Sequence, residues 1–253
     1  MRVAVAGGTG LIGSMVVDAL RANGDVAVRL ARSTGADLVS GVGVDEALAG
    51  ADAVIDVANV VTLSERKAVA FFETTTRTLL AAGRRAGVGH LVALSIVGID
   101  RVPTGYYVGK LRQEAAVLSG AIPSTVLRAT QFHEFAQQAL DRSTRPFAVI
   151  PAILCQPVAA QEVAEALVRV VHAGPQGFAS EVGGPEQLRL PDMVRQLVRA
   201  SGLRRPVLAL RLPGKAGRAM ASGALLPTGA GRLGQQTYAE WLAARVSRDA
   251  HPG

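Results

Sequence analysis

Cysteine is almost absent from this chain. Cys155 stands alone, which excludes an intrachain disulfide and a thiolate metal site, so no metal is expected and a reduced, cytoplasmic setting is. No uninterrupted apolar run reaches the length of a membrane-spanning helix, and no charged, apolar and cleavable leader stands ahead of Val3. Membrane association is therefore not expected. Lysine is scarce as well: Lys67, Lys110 and Lys215 are the only ones, and arginine carries most of the net charge of +7. The arginines are scattered, with Arg84-Arg85 and Arg204-Arg205 the only adjacent pairs, so no basic face with a reading element emerges. A solvated surface attractive to an anionic cofactor fits this pattern better than nucleic-acid recognition. Internal repeats are missing too. A chain of 253 residues can still bury a substantial core, as one large domain or as a domain with a smaller lobe.

What is present begins at once. Val3-Ala4-Val5-Ala6 reads as a buried strand, Gly7-Gly8-Thr9-Gly10 as a tight turn, and Leu11 as the start of a helix. Leu11, Met15, Val16, Ala19 and Leu20 recur at helical spacing, and Asn23-Gly24 supplies the stop. Gly7 permits the turn, Gly10 lets the backbone approach a diphosphate, and Gly13 lets the helix lie against the strand. The amides of Thr9, Gly10, Leu11, Ile12 and Gly13, at the positive end of the helix, are what such a turn offers to phosphate. Dinucleotide binding is the reading.

A second strand, residues 26–31, ends at Arg32-Ser33, about twenty residues past the turn, where an acidic side chain would hold the ribose 2′-hydroxyl of NAD. No Asp or Glu stands there. Arg32 with Ser33 favours the 2′-phosphate of NADP(H) over NAD(H), against the plain reading of a solvated arginine at a strand end. Further on, Asp37-Leu38-Val39 reads as a short strand, and Asp45 as the N-cap of a short helix. Residues 53–57 form a buried strand that delivers Asn59 to the carboxyl edge of the sheet. There it either touches a cofactor or closes a turn. A helix runs from Ser64 to about Ala86 with Gly87 as its stop, followed by a strand ending at Ser95, a helix from Tyr106 and a strand over residues 125–129. This alternation predicts a doubly wound parallel α/β fold.

Three regions follow: a dinucleotide-binding Rossmann core over 1–145, a mixed segment over 146–246, and a flexible tail over 247–253. Within the second, a helix over 162–171 returns to the core and residues 178–182 read as one strand. Tyr238 and Trp241 read as core packing on a final helix.

Tyr106 and Lys110 are spaced i, i+4 and share one helix face. A cation about 4 Å from a phenol, at an effective dielectric near 20, is worth roughly 4 kcal/mol, or about three pKa units at the limit. Lys110 is therefore expected to lower the pKa of Tyr106 and ready it for proton transfer to a carbonyl oxygen.

Taken together, Gly7-Gly8-Thr9-Gly10-Leu11-Ile12-Gly13, Ser95, Tyr106-x-x-x-Lys110 and the loop Thr130-Gln131-Phe132-His133-Glu134 resemble an atypical short-chain dehydrogenase/reductase of the NmrA-like, NAD(P)H-binding branch. The resemblance implies a Rossmann core with a small C-terminal substrate lobe. It implies catalysis by Tyr106, Lys110 and Ser95 on a small-molecule substrate, with Lys110 also on the nicotinamide ribose and Gln131 and Phe132 near the nicotinamide. Tyr107 is the alternative acid. His133 is either a substrate-facing proton donor or a packed loop histidine. The activity implied is NADP(H)-dependent reduction of a small, largely apolar carbonyl, enone, imine or quinone. The same branch also includes redox sensors that act through a protein partner, and a cofactor-retaining epimerase is a further alternative.

Overall fold

The computed structural model describes residues 1–143, 146–229 and 231–250. The chain opens with β1 (Arg2–Ala6), α1 (Leu11–Ala22), β2 (Val26–Leu30), α2 (Val44–Leu48) and β3 (Ala53–Asp56). It continues through α3 (Glu65–Ala86), β4 (His90–Ile96), α4 (Tyr106–Leu118), β5 (Ser124–Ala129) and α5 (Phe135–Asp141). Next come β6 (Ala148–Pro151), β7 (Leu154–Cys155), α6 (Ala160–Ala173), β8 (Gly177–Phe178), β9 (Val182–Gly183) and β10 (Leu188–Arg189). The last elements are α7 (Leu190–Ala200), β11 (Val207–Leu210), α8 (Gly214–Ala221), β12 (Arg232–Leu233) and α9 (Tyr238–Ala250). No helix among the described residues is long and apolar enough to cross a membrane.

The residues divide into two compact units, Met1–Arg128 with Gln161–Ser180, and Ala129–Ala160 with Glu181–Gly253. In the first, the sheet runs β8-β5-β4-β3-β1-β2. Its apolar strands are buried on both faces, as parallel strands covered by helices must be; Val3, Val5 and Ile55 are wholly buried. The parallel register sets Ala6 opposite Leu30 on one side and Asp56 on the other, and Asp56 in turn opposite Ala93. The chain leaves β1 for β2 in one direction and returns across it to β3. That reversal makes the exit of β1 a topological switch point, where open α/β sheets hold their ligands.

Helix α3 matches its expected bounds for the expected reasons. Ser64 Oγ accepts from the Lys67 amide at 3.4 Å, and Gly87 ends the helix at φ +72°. Other expectations are corrected. Asp37-Leu38-Val39 is not a strand, because the Asp37 carboxylate accepts the Val39 amide at 2.9 Å and folds the segment into a turn. Gly43, in the left-handed region at φ +69°, takes the N-cap position assigned to Asp45, which instead pairs with Arg85 at 2.7 Å. The single strand expected over 178–182 is two short ones, β8 paired with β5 at Thr125 and Val126, and β9 meeting Ala129. Helix α9 passes Ser247, where order was expected to end, and reaches Ala250; residues 251–253 of that tail lie outside the described residues.

In the second unit β6 and β11 pair in parallel, β7 and β10 antiparallel, and β9 with β12 in parallel. Helix α7 buries Leu190, Met193, Val194 and Leu197 along one face.

Candidate dinucleotide site and its phenol

The exit of β1 is packed so tightly that side chains are excluded. A Cβ on Gly13 would stand 2.1 Å from the Gly7 carbonyl oxygen, so α1 rests directly on the turn. Gly7 lies at φ +78°, and a Cβ there would be 2.9 Å from Ala58 Cα. Gly8, which the motif reading passed over, is equally confined, 2.8 Å from the Val5 carbonyl oxygen by the same measure. The turn is held by Gly7 N donating to Leu30 O and Gly10 N to Gly7 O, both at 2.9 Å. Gly10 forms the N-cap of α1 with no side chain capping the helix and no acid in its first turn. The helix end is thus left open to an anion, with amides and dipole uncompensated by the protein itself.

Arg32 and Ser33 lie exposed on a single 3-10 turn, residues 32–34, directly after β2. Thr34 fixes this turn, its Oγ1 accepting from Ala31 N at 3.1 Å. Arg29 points back over the glycine turn and donates from Nε to Gly8 O at 3.3 Å.

The phenol stands at the start of α4. Tyr106 is half-buried, its ring edge-on to Phe72 at 5.5 Å and to Tyr107 at 6.1 Å. Its hydroxyl donates to Asn59 Oδ1 at 2.6 Å. Asn59 Oδ1 also accepts its neighbour's amide, Val60 N, at 2.7 Å. So Asn59 holds the tyrosine and its own neighbour's amide at once.

Lys110 does not do what its spacing implied. It is buried, and its ammonium donates to Leu94 O at 2.6 Å and to Gln113 Oε1, and lies over the Phe72 ring at 4.7 Å from the centroid. Gln113 passes the contact on, donating from Nε2 to Asp56 Oδ2 at 2.8 Å. Asp56 Oδ1 accepts Ala58 N at 3.0 Å, which fixes the segment that walls Gly7. A glutamine-bridged ion pair therefore lies buried under the strand exits. Burial lowers Lys110 to about 8 against the pull of Asp56 and Glu114, and burial raises Asp56. The expected lowering of Tyr106 is reversed: burial, then the Tyr107 phenol, holds its pKa above the usual value. The spacing was right and the inference from it was not, because the i+3 glutamine and the Leu94 carbonyl claim the ammonium. Asp56 and Gln113 were missed. The available signal was an acid closing an otherwise apolar strand, Ala53-Val54-Ile55-Asp56.

Ser95, near the end of β4, is 2% exposed, and its Oγ has no hydrogen-bond partner among the described residues. Gln131, Phe132 and His133 belong to the second unit. Both amide atoms of Gln131 are buried without a hydrogen-bond partner among the described residues, and Phe132 bridges to Val158. His133 is fully buried, Nε2 facing Gln236 O at 3.2 Å and the ring 5.7 Å from Tyr238 and 5.6 Å from Trp241. The substrate-facing reading of His133 gives way to packing.

The chain has a Rossmann-like α/β fold, with the parallel central sheet seen in structures of the short-chain dehydrogenase/reductase superfamily. One is a superfamily protein from Agrobacterium tumefaciens with bound NAD, 16% identical over 99% of this chain and 97% of that one, TM-score 0.68. Another is an NADPH-dependent quinone oxidoreductase from Escherichia coli complexed with NADPH, 19% identical over 96% and 99%, TM-score 0.71. A third is UDP-N-acetylglucosamine 4-epimerase from Bacillus cereus, 18% identical over 90% and 97%, TM-score 0.63. In sequence, the model of the NAD-dependent epimerase/dehydratase family matches residues 3–99. No curated protein sequence matches the chain.

Proposed function

We propose that the protein is an NADP(H)-dependent reductase acting on a small, largely apolar carbonyl, enone, imine or quinone. The observation that carries this is the glycine turn, where α1 rests on Gly7 with its N-terminus uncapped. The fit to a dinucleotide is physical: the places a Cβ would fill are closed, and the helix end is open to phosphate. Thr9, Gly10, Leu11, Ile12 and Gly13 would hold the diphosphate, and Arg32 and Ser33 the 2′-phosphate. Asn59 would border the cofactor. Structures of the same fold that bind NAD or NADPH support the reading.

Reduced nicotinamide supplies a hydride when bound. The chain's own part is the proton: Tyr106 stays protonated through the neutral range and gives its hydroxyl proton to the substrate oxygen as the carbon receives hydride. Burial keeps this phenol in its protonated form, the form a proton donor must have, though it parts with that proton less readily than a free phenol. The matching family model and the epimerase structure keep a cofactor-retaining epimerase as the second reading. Ser95 would polarise the same oxygen. Lys110 positions the β3 exit from beneath.

The test is turnover of NADPH with a carbonyl and quinone panel. Tyr106→Phe is expected to cut kcat by about a hundredfold, in the range of general acid catalysis, with NADPH affinity unchanged. Cofactor binding without turnover, and indifference to the substitution, would instead support a redox sensor. Cofactor choice has its own readout. Arg32→Ala should weaken NADPH about tenfold or more and leave NADH alone, since charge-assisted contacts are worth about 1.5–3 kcal/mol. Fluorescence titration with each nucleotide measures both.

A further inference from the structure

We infer that residues 59–63 form an apolar arch over Tyr106 that selects substrates with a hydrocarbon body beside the reacting oxygen, an inference that rests on the reductase reading above. Both feet of the arch stand at the tyrosine. At one, Asn59 Oδ1 takes the Tyr106 hydroxyl at 2.6 Å. At the other, Leu63 O would lie 3.7 Å from a Cβ on Gly105, the residue just before Tyr106, and Glu65 Oε2 accepts Gly105 N at 3.2 Å. Two local hydrogen bonds hold the span: Val60 N donates to Asn59 Oδ1 at 2.7 Å and Ser64 N to Thr62 Oγ1 at 3.1 Å.

The chemistry of the arch is one-sided. Val61 is 79% exposed and Leu63 86%, the two most exposed large aliphatic side chains among the described residues. From Val57 to Ser64 no side chain is charged. On the proposed reading, a substrate whose oxygen reaches the Tyr106 hydroxyl covers these aliphatic side chains, and the one carboxylate at the foot, Glu65, is already engaged by the Gly105 amide. Phe72 and Tyr107 extend the same character around the phenol ring. Single exposed aliphatic residues are ordinary, but two on a loop pinned at the Tyr106 hydroxyl at one end and at Gly105 at the other form a surface that a ligand can cover. A carboxylate or a sugar would displace water there without recompense.

The probe is menadione, titrated into protein saturated with oxidised NADP so that no turnover occurs, with the valine and leucine methyl groups labelled for NMR. Menadione should shift the Val61 and Leu63 methyls, and V61N/L63N should raise its dissociation constant about tenfold, the scale of a lost apolar contact in a binding pocket. Both side chains are exposed, so the melting temperature and the affinity for NADP should not change. Unchanged menadione affinity overturns the inference, as do shifts confined to other methyls, or arch signals that follow protein concentration and so mark self-association. The two readings fail separately. NADPH-dependent turnover of benzoquinone with a silent arch sinks only the arch, whereas absence of nucleotide binding beside a responding arch sinks only the reductase.

Discussion

Gly13→Ala abolishes nucleotide binding and destabilises the fold, while Gly10→Ala loses binding and keeps the fold. The two glycines lie in the same turn but face different neighbours. A methyl on Gly13 would be driven to 2.1 Å from Gly7 O and 2.7 Å from Gly8 Cα, both backbone atoms that cannot rotate away. Helix α1 must then lift off the turn. Overpacking of this kind costs about 1–3 kcal/mol, and the displaced amides no longer converge on a phosphate. At Gly10 the nearest atom to a new methyl, Gly7 O, is 3.4 Å away and φ is −78°, so the fold tolerates it. What the methyl obstructs is the approach of the diphosphate. Thermal denaturation and NADPH titration on both variants give the answer. Equal loss of stability in the two would contradict the assignment of Gly10 to the ligand and Gly13 to packing.

Lys110→Met has the second large effect, on stability. Removing the ammonium leaves Asp56 buried, bonded only through Gln113 and the Ala58 amide, without the charge that offsets it. Breaking a buried pair from one side costs about 3–5 kcal/mol, and replacing both partners recovers much of it. Urea denaturation should therefore show Lys110→Met well below the wild type and Asp56→Asn with Lys110→Met closer to it. The pH dependence separates this from simple loss of packing. Lys110 is depressed to about 8 from 10.5, so between those values the unfolded chain holds a proton that the folded chain has released. Wild-type stability then gains as pH rises above about 8, where burying the charged form no longer weighs against folding. The methionine variant lacks that gain. Asp56, raised by burial, has the opposite sign at acid pH: its contribution is present at low pH and falls as pH climbs from its ordinary 3.8 through its folded value.

Much of the fold was legible because short-range chemistry and apolar spacing agree along the chain. Ser64 and Gly87 mark α3, the glycines mark the turn before α1, and the buried runs mark β1, β3 and β4. Legibility failed where a side chain overrode the pattern, as Asp37 does by taking the Val39 amide, or where two units share a segment, as at β8 and β9. In the site, the turn could be read because glycine spacing is itself the cause of the geometry. The Tyr106–Lys110 pair could not, because a shared helix face says which side chains are neighbours and nothing about competing partners. Gln113 and the Leu94 carbonyl won the ammonium, and Asn59, from the loop after β3, won the phenol.

The backbone passes from one unit to the other at three places, after Arg128, after Ala160 and after Ser180. Helix α6 lies between the last two and belongs with the first unit; it buries Val163, Leu167 and Val171 and presents the Val171 carbonyl to His90 Nδ1 at 3.3 Å. No single cut of the polypeptide therefore yields either unit whole. A ribosome releasing this chain must have made residue 180 before the first core can close, so that truncations ending near residue 128 are poor substitutes for the first unit.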